Sequence, residues 1–239
     1  RLPRHLSSSL LSSPIRFVTC ALLALLAVLL AGCKATEQKQ DSAQIRVIHL
    51  SPDAEALSIK VKDGATVIAS IAQGASAAYT SFAAASTSYE IRSAVDGSLL
   101  ASQTLSFTGG ARYTMVIAGR RSGLGLATLQ EDTQGPSSSS NFRFRADNFS
   151  SLGSLDVYFV SQSGSVPNTS ATYSAIGTGA LTAYTEVAAG SYQLVLTVAG
   201  TKEIVFESAA QSFAAGTSIT LAVAPGTSSR LANVAVLTY

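Results

Sequence analysis

The chain has 239 residues, 47% of them apolar and only 13% charged, with a formal net charge of +2 at pH 7. Three of its 16 Lys and Arg, and none of its 14 acids, lie before position 33, so the remainder carries 13 basic against 14 acidic residues and is close to −1. With no Lys/Arg cluster larger than Arg120-Arg121, the electrostatic footprint of nucleic-acid binding is missing, and that class is excluded.

The first 32 residues have the layout of a secretory signal: a basic flank (Arg1, Arg4, Arg16), an apolar stretch (Phe17 to Leu30) and small residues before a cleavage point. Leu30-Ala31-Gly32-Cys33 reads as a bacterial lipobox, with Cys33 as the residue to be lipidated and a polar tail behind it. Phe17 to Ala31 falls short of the ~20 apolar residues that span a bilayer. The expectation is therefore a cleaved lipoprotein signal peptide over residues 1–32, and a lipidated cysteine with a flexible tether over 33–43. The membrane is then a partner through the lipid anchor, at the bacterial cell envelope; Lys34, in place of the Asp that signals inner-membrane retention, favours the outer membrane. Arg1 in place of Met reads as a truncated or mis-called start. Cys20 lies in the leader, so Cys33 is the sole cysteine after cleavage and no intramolecular disulfide forms.

Beyond the tether, the chain shows the period-2 alternation of half-buried strands. Leu57 to Lys62 is the clearest, ending in Asp63-Gly64, a dipeptide that tolerates the positive φ of a tight turn, and resuming through Ala65 to Ile68. Tyr89 to Val95 meets Asp96-Gly97 and returns through Leu99 to Phe107. A turn at Gly109-Gly110 leads to Arg112 to Ala118, and then a short strand at Leu126 to Leu129. Short strands at this spacing predict an all-β sandwich.

The later half repeats the earlier one. Tyr89 to Gly97 aligns with Tyr192 to Gly200, Ser106 to Gly110 with Ser212 to Gly216, Arg112 to Ala118 with Ser218 to Ala224, and Tyr79-Thr80 with Tyr184-Thr185. The segment Ile45 to Gly64 corresponds loosely to Phe142 to Gly164. Between the copies, Thr133 to Ser140 has the composition of a flexible linker. This predicts two tandem β-sandwich domains, 44–132 and 141–239, joined by 133–140.

The opening Ile45-Arg46-Val47-Ile48-His49-Leu50-Ser51-Pro52-Asp53-Ala54, the strand Leu57 to Lys62 with Asp63-Gly64, and Phe107-Thr108-Gly109-Gly110-Ala111-Arg112-Tyr113-Thr114 together resemble the bacterial domain of unknown function numbered 4397. The resemblance covers nearly all of the first domain. The second is read as a divergent copy, with Arg145-Ala146-Asp147-Asn148 standing where the first has His49 to Asp53. The resemblance implies an immunoglobulin-like or transthyretin-like sandwich and export, with no activity attached.

His49, Ser51 and Asp53 are the residues that suggest catalysis, since a hydrolase needs a nucleophile, a base and an orienting acid. The structural reading is preferred: Pro52 ends the strand, Asp53 accepts hydrogen bonds from the turn, and His49 is a polar ring at the strand edge. No catalytic, cofactor or metal residue is assigned, and no cofactor is expected. His49 is the sole histidine beyond the leader, and Asp63, Asp96, Glu131 and Asp132, the nearest to a calcium set, read as turn and solvated surface. Gly119 to Gly125 joins two strands and reads as a loop; Asn148-Phe149-Ser150 and Asn168-Thr169-Ser170 match the glycosylation sequon by chance. The strand tyrosines Tyr79, Tyr89, Tyr113, Tyr158, Tyr184 and Tyr192 read as core or rim ahead of a sugar platform. The preferred function is a non-catalytic binding or structural module with a protein or glycan ligand. The alternatives are an assembly or accessory factor that uses β-strand augmentation, and a hydrolase on His49, Ser51 and Asp53.

Overall fold

The computed structural model describes residues 41–239, and residues 41–130 carry eight strands: β1 (Ser42–His49), β2 (Leu57–Val61), β3 (Thr66–Ile71), β4 (Thr80–Ala83), β5 (Ser86–Ser93), β6 (Leu99–Ser106), β7 (Arg112–Ala118) and β8 (Gly125–Gln130). They form two four-stranded sheets, in the orders β4-β1-β7-β8 and β3-β2-β5-β6. All pairs are antiparallel except β1 with β7, which run parallel and set Arg46 beside Thr114. Immunoglobulin constant-type sandwiches put strands 1, 2, 5 and 4 in one sheet; the order found here differs, with strands 4, 1, 7 and 8 in one sheet and 3, 2, 5 and 6 in the other. The turns expected from sequence use the predicted residues: Asp63 has φ 56°, Gly97 74° and Gly110 78°.

The second sandwich repeats this order with β9 (Asn141–Asn148), β10 (Leu155–Ser161), β11 (Tyr173–Ile176), β12 (Thr185–Ala188), β13 (Gly190–Val198), β14 (Ile204–Glu207), β15 (Gln211–Phe213), β16 (Ser218–Pro225) and β17 (Ala232–Thr238). Its sheets are β12-β9-β16-β17 and β11-β10-β13-β14, with β15 also on β13, and β9 with β16 is again the parallel pair. What is one eight-residue strand in the first sandwich, β6, is broken in the second into β14 and β15.

Each sandwich closes on its own core. In the first, Ile45 and Val47 of β1 face Leu57, Ile59 and Ile91, all at 0% exposure, around an aromatic group of Phe82, Tyr89, Phe107 and Tyr113. In the second, Phe159 meets Phe142, Phe144, Tyr192 and Phe213 at centroid distances of 4.8–5.7 Å.

The register corrects the alignment made from sequence. Arg46 pairs with Thr114, Arg145 pairs with Thr220, and each arginine Nε donates to that threonine hydroxyl at 2.8 Å. Arg145 therefore stands at the place of Arg46, and Asn148 at the place of His49, two positions from the match of Ile45 with Phe142 and three from that of His49 with Arg145. The segment 131–140 is tied down as well: Glu186 accepts from the Ser137 and Ser138 amides and the Asn141 side chain, while Arg143 donates to the Gln134 carbonyl and pairs with Asp132.

Candidate functional site

The loop after β1 holds the three residues that suggested catalysis, and it does not join them into a relay. His49 is fully buried, not a ring at the strand edge, because the loop 50–56 folds over it. Its Nδ1 accepts from the Ser51 amide (3.3 Å), which leaves Nε2 as the protonated nitrogen, donating to the Glu55 carbonyl (3.0 Å). Both ring nitrogens are thus spent on backbone. Ser51 Oγ donates to Asp53 (3.3 Å) and accepts from the Ala54 amide (3.3 Å), with no bond to His49. Asp53 reaches across to the β7–β8 loop, accepting from the Arg121 amide (2.8 Å) and the Arg120 guanidinium (3.3 Å). The Arg121 amide, before any other group, holds the Asp53 carboxyl below its ordinary range.

The second sandwich builds the same bracket with different chemistry. Asn148 Oδ1 accepts from the Ser150 amide (3.0 Å) as His49 Nδ1 does from Ser51, and Asn148 Nδ2 donates to the Gly153 and Ile176 carbonyls (2.9 Å each). Gln73 donates to the Ser51 carbonyl; Thr178, its counterpart, donates to that of Ser150. Gly74 N–H donates to the His49 carbonyl, and Gly179 N–H to the Asn148 carbonyl. An amide that takes over the imidazole's bond from the amide two residues on, and spends its other end on nearby carbonyls as the imidazole does, marks both positions as loop clamps. With Asn148 1% exposed and its amide spent, the sequon there has no free acceptor.

Sequence reasoning missed a second polar group, at the seam where the outer face of β4-β1-β7-β8 packs on that of β12-β9-β16-β17. Its apolar part is Ile48, Leu50, Val116, Ala118 and Leu129 against Ala222, Ala224 and Leu237. Beside it lies Glu131, read from sequence as solvated surface, with its side chain only 2% exposed. It accepts from Tyr79 Oη (2.7 and 2.8 Å) and Thr114 Oγ1 (2.9 Å), and pairs with Arg46 Nε at 3.2 Å. Desolvation, then this hydrogen bond to Glu131, pushes the Tyr79 hydroxyl up to about 12. Arg46 also lies over the Tyr239 ring of the second sandwich (5.1 Å), and Arg145 donates to the Gln130 carbonyl of the first (2.7 Å). Each of the two equivalent arginines thus crosses the seam.

This arrangement spends the tyrosine faces. Tyr79 is covered by Arg46 and Arg112, Tyr184 by Arg143 and Arg145, and Tyr158 by Lys202, all within 5.7 Å of the ring centroids. Tyr89 and Tyr113 are core residues, and Tyr192 packs on Phe159 and Phe213. All six rings thus have a cation or another aromatic ring packed on them.

The seam ends in two clefts built from corresponding loops. One, of about 290 Å³, lies between the β7–β8 loop (Gly119, Gly123) and Phe149, Thr178 and Gly179 of the second sandwich. The other, of about 400 Å³, lies between the β16–β17 loop (Gly226, Thr227, Leu231) and Pro52, Gln73 and Gly74 of the first. The first is mostly apolar and the second mixed. Among the described residues, no three His, Cys, Asp or Glu side chains are placed to hold a metal.

The seam also buries Asp147, 5% exposed, at the position that Ile48 occupies in the first sandwich. On the alternation of a strand it shares the seam face of β9 with Arg145 and Phe149. Burial, against a smaller opposing pull from Arg145, raises its carboxyl to about 6. An acid whose pKa is higher folded than unfolded stabilises the fold below the unfolded value and loses that contribution as pH rises through the folded one. Asp147→Asn should therefore match the parent at pH 3 and exceed it at pH 7.5 by about 2 kcal/mol, allowing for partial solvent screening. Thermal melts at the two pH values check this; an equal gain at both would show that the charge is not the cause.

Fold and site define an all-β chain of two like sandwiches joined face to face, whose conspicuous polar triple is part of a loop clamp. Over residues 43–158, from β1 into β10, the chain matches the family model described as "Domain of unknown function (DUF4397)". No curated protein matches the sequence. Among solved structures it is similar to the CBMbc module (family CBM26) of Eubacterium rectale Amy13K, crystallised with maltoheptaose, at 12% identity over 82% of this chain and 96% of that one. The TM-score is 0.23, a likeness too low to carry any argument about a ligand.

Proposed function

We propose that the protein is a non-catalytic, lipid-anchored module of the bacterial envelope, its second sandwich a divergent copy of the first, acting by binding a protein partner or by holding structure. The observation that carries this reading is the equivalence of His49 with Asn148: two different side chains that each brace the loop after the first strand through backbone groups are there to fasten it. The covered tyrosine faces weigh against a glycan platform. Paired clefts of loop residues on a rigid frame support binding as the role.

The anchor rests on Cys33 and its lipobox, which lie outside the described residues. Several acyl chains, each buried CH₂ adding ~0.8 kcal/mol, make such an anchor effectively permanent. Ser42 and Ala43, read from sequence as tether, already belong to β1, so the seven residues 34–40 are left as tether and reach about 23 Å when extended, at ~3.3 Å per residue. Cys33→Ser in the full-length chain is expected to move the protein from the membrane to the soluble fraction. A variant that still floats with lipid would overturn the anchor. Crosslinking in cells, followed by mass spectrometry, tests the binding role: a recurrent protein partner supports it.

A further inference from the structure

A sheet edge is a row of unpaired N–H and C=O groups, and proteins blunt such edges unless something covers them. Most edges of this molecule are blunted. Strands β4, β11 and β12 are four residues long, and β3 and β11 pair with register shifts. The β8 edge is capped by side chains, with Gln103 accepting from the Leu126 amide and Arg145 donating to the Gln130 carbonyl. Two residues of β17, Ala235 and Leu237, are committed to the seam. In the second sandwich the edge that corresponds to β6 is broken into β14 and β15.

Strand β6 has fewer of these devices: among the described residues, its one side-chain bond on the side away from β5 is at Gln103 Oε1, which accepts from the Leu126 amide. Its sequence, Leu-Leu-Ala-Ser-Gln-Thr-Leu-Ser, has eight residues with no charge, Pro or Gly. It pairs with β5 on one side, and among the described residues its backbone makes no hydrogen bond on the other. Leu99 is 52% exposed, and Ser102, Gln103, Thr104 and Ser106 are exposed as well. The register against β5 sets Ser102 and Thr104 beside Glu90 and Ser88, on the outer face, where Thr104 Oγ1 and Ser88 Oγ already bond at 2.7 Å.

We propose that β6 is a dimerisation edge, and that its occupant is the β6 strand of a second copy of this chain, run antiparallel to join two four-stranded sheets into one of eight. The strand is self-complementary. With the dyad at Gln103, Ser102 of one copy lies opposite Thr104 of the other on the same face, which extends the hydroxyl ladder that Ser88 and Thr104 begin, and no charge meets its like. This inference goes beyond the envelope-module reading and does not rest on it.

Sedimentation velocity on the full-length protein, in mild detergent if it is membrane-bound, should give a dimer. Replacing Ser102 and Thr104 by lysine sets like charges opposite one another and should weaken the dimer at least tenfold, leaving a monomer with an unchanged thermal melt. The same two lysines at Ser208 and Ala210, on the broken edge of the second sandwich, should leave the dimer intact. A monomeric parent at 100 μM, a dimer that survives the β6 lysines, or one that only the Ser208 and Ala210 lysines dissolve would each overturn the proposal. An extended heterologous peptide as the occupant would appear as a monomeric parent.

Discussion

Glu131→Ala is expected to cost about 3–5 kcal/mol, the loss that follows when one partner of a buried ion pair is removed and the other stays. Glu131 is the one acceptor shared by Arg46, Tyr79 and Thr114, and its side chain is 2% exposed. Without it the Arg46 guanidinium sits uncompensated beside Arg112, on the Tyr79 ring that both share, and the hydroxyls of buried Thr114 and half-buried Tyr79 lose their acceptor. Glu131→Gln keeps a carbonyl oxygen for the hydroxyls and loses only the charge, so it should cost roughly half as much. Urea unfolding monitored by tyrosine fluorescence measures both. A loss under 1 kcal/mol for Glu131→Ala would mean that the seam contributes little to stability.

His49→Ala should destabilise by about 2–4 kcal/mol, because it leaves the Ser51 amide and the Glu55 carbonyl buried without partners and opens a cavity under the loop. His49→Asn should recover about half of that, as Asn148 accepts from the amide two residues on at the equivalent position. Full recovery is not expected: His49 reaches an acceptor six residues on, Asn148 one only five residues on, and the shorter amide falls short of Glu55. The pair also separates the roles. A clamp is restored by asparagine, whereas a general base is not, so any cellular function that alanine abolishes through misfolding should return with asparagine. A folded His49→Asn variant without that function would revive the hydrolase reading.

Legibility in the sequence follows the range of the interaction. The hairpins were legible because Asp63-Gly64 and Asp96-Gly97 impose their turns locally, and because alternation in Leu57 to Lys62 marks one face for the core; Arg112 to Ala118 emerged with the observed ends of β7. The seam was not, although a sign of it was present. In β7, Tyr113 to Ala118 are buried on both faces, and in β16 every residue is, which is why these strands read as near-continuous apolar runs. An unbroken run in a supposedly half-exposed sheet signals that something covers the outer face. The same oversight placed Glu131 in solvent, and the two-residue slip in aligning the second copy hid the match of Arg46 with Arg145.

By itself the sequence determined the all-β character and the turn positions, since each depends on residues two to ten apart. Only the tertiary structure decided the register of β1 on β7, the burial of His49 and the pairing of Glu131 with Arg46. Those depend on groups that lie as many as 85 positions apart in the chain and meet only when two sheets close face to face; a carboxylate or an imidazole carries no local mark of whether water or an arginine will be its neighbour.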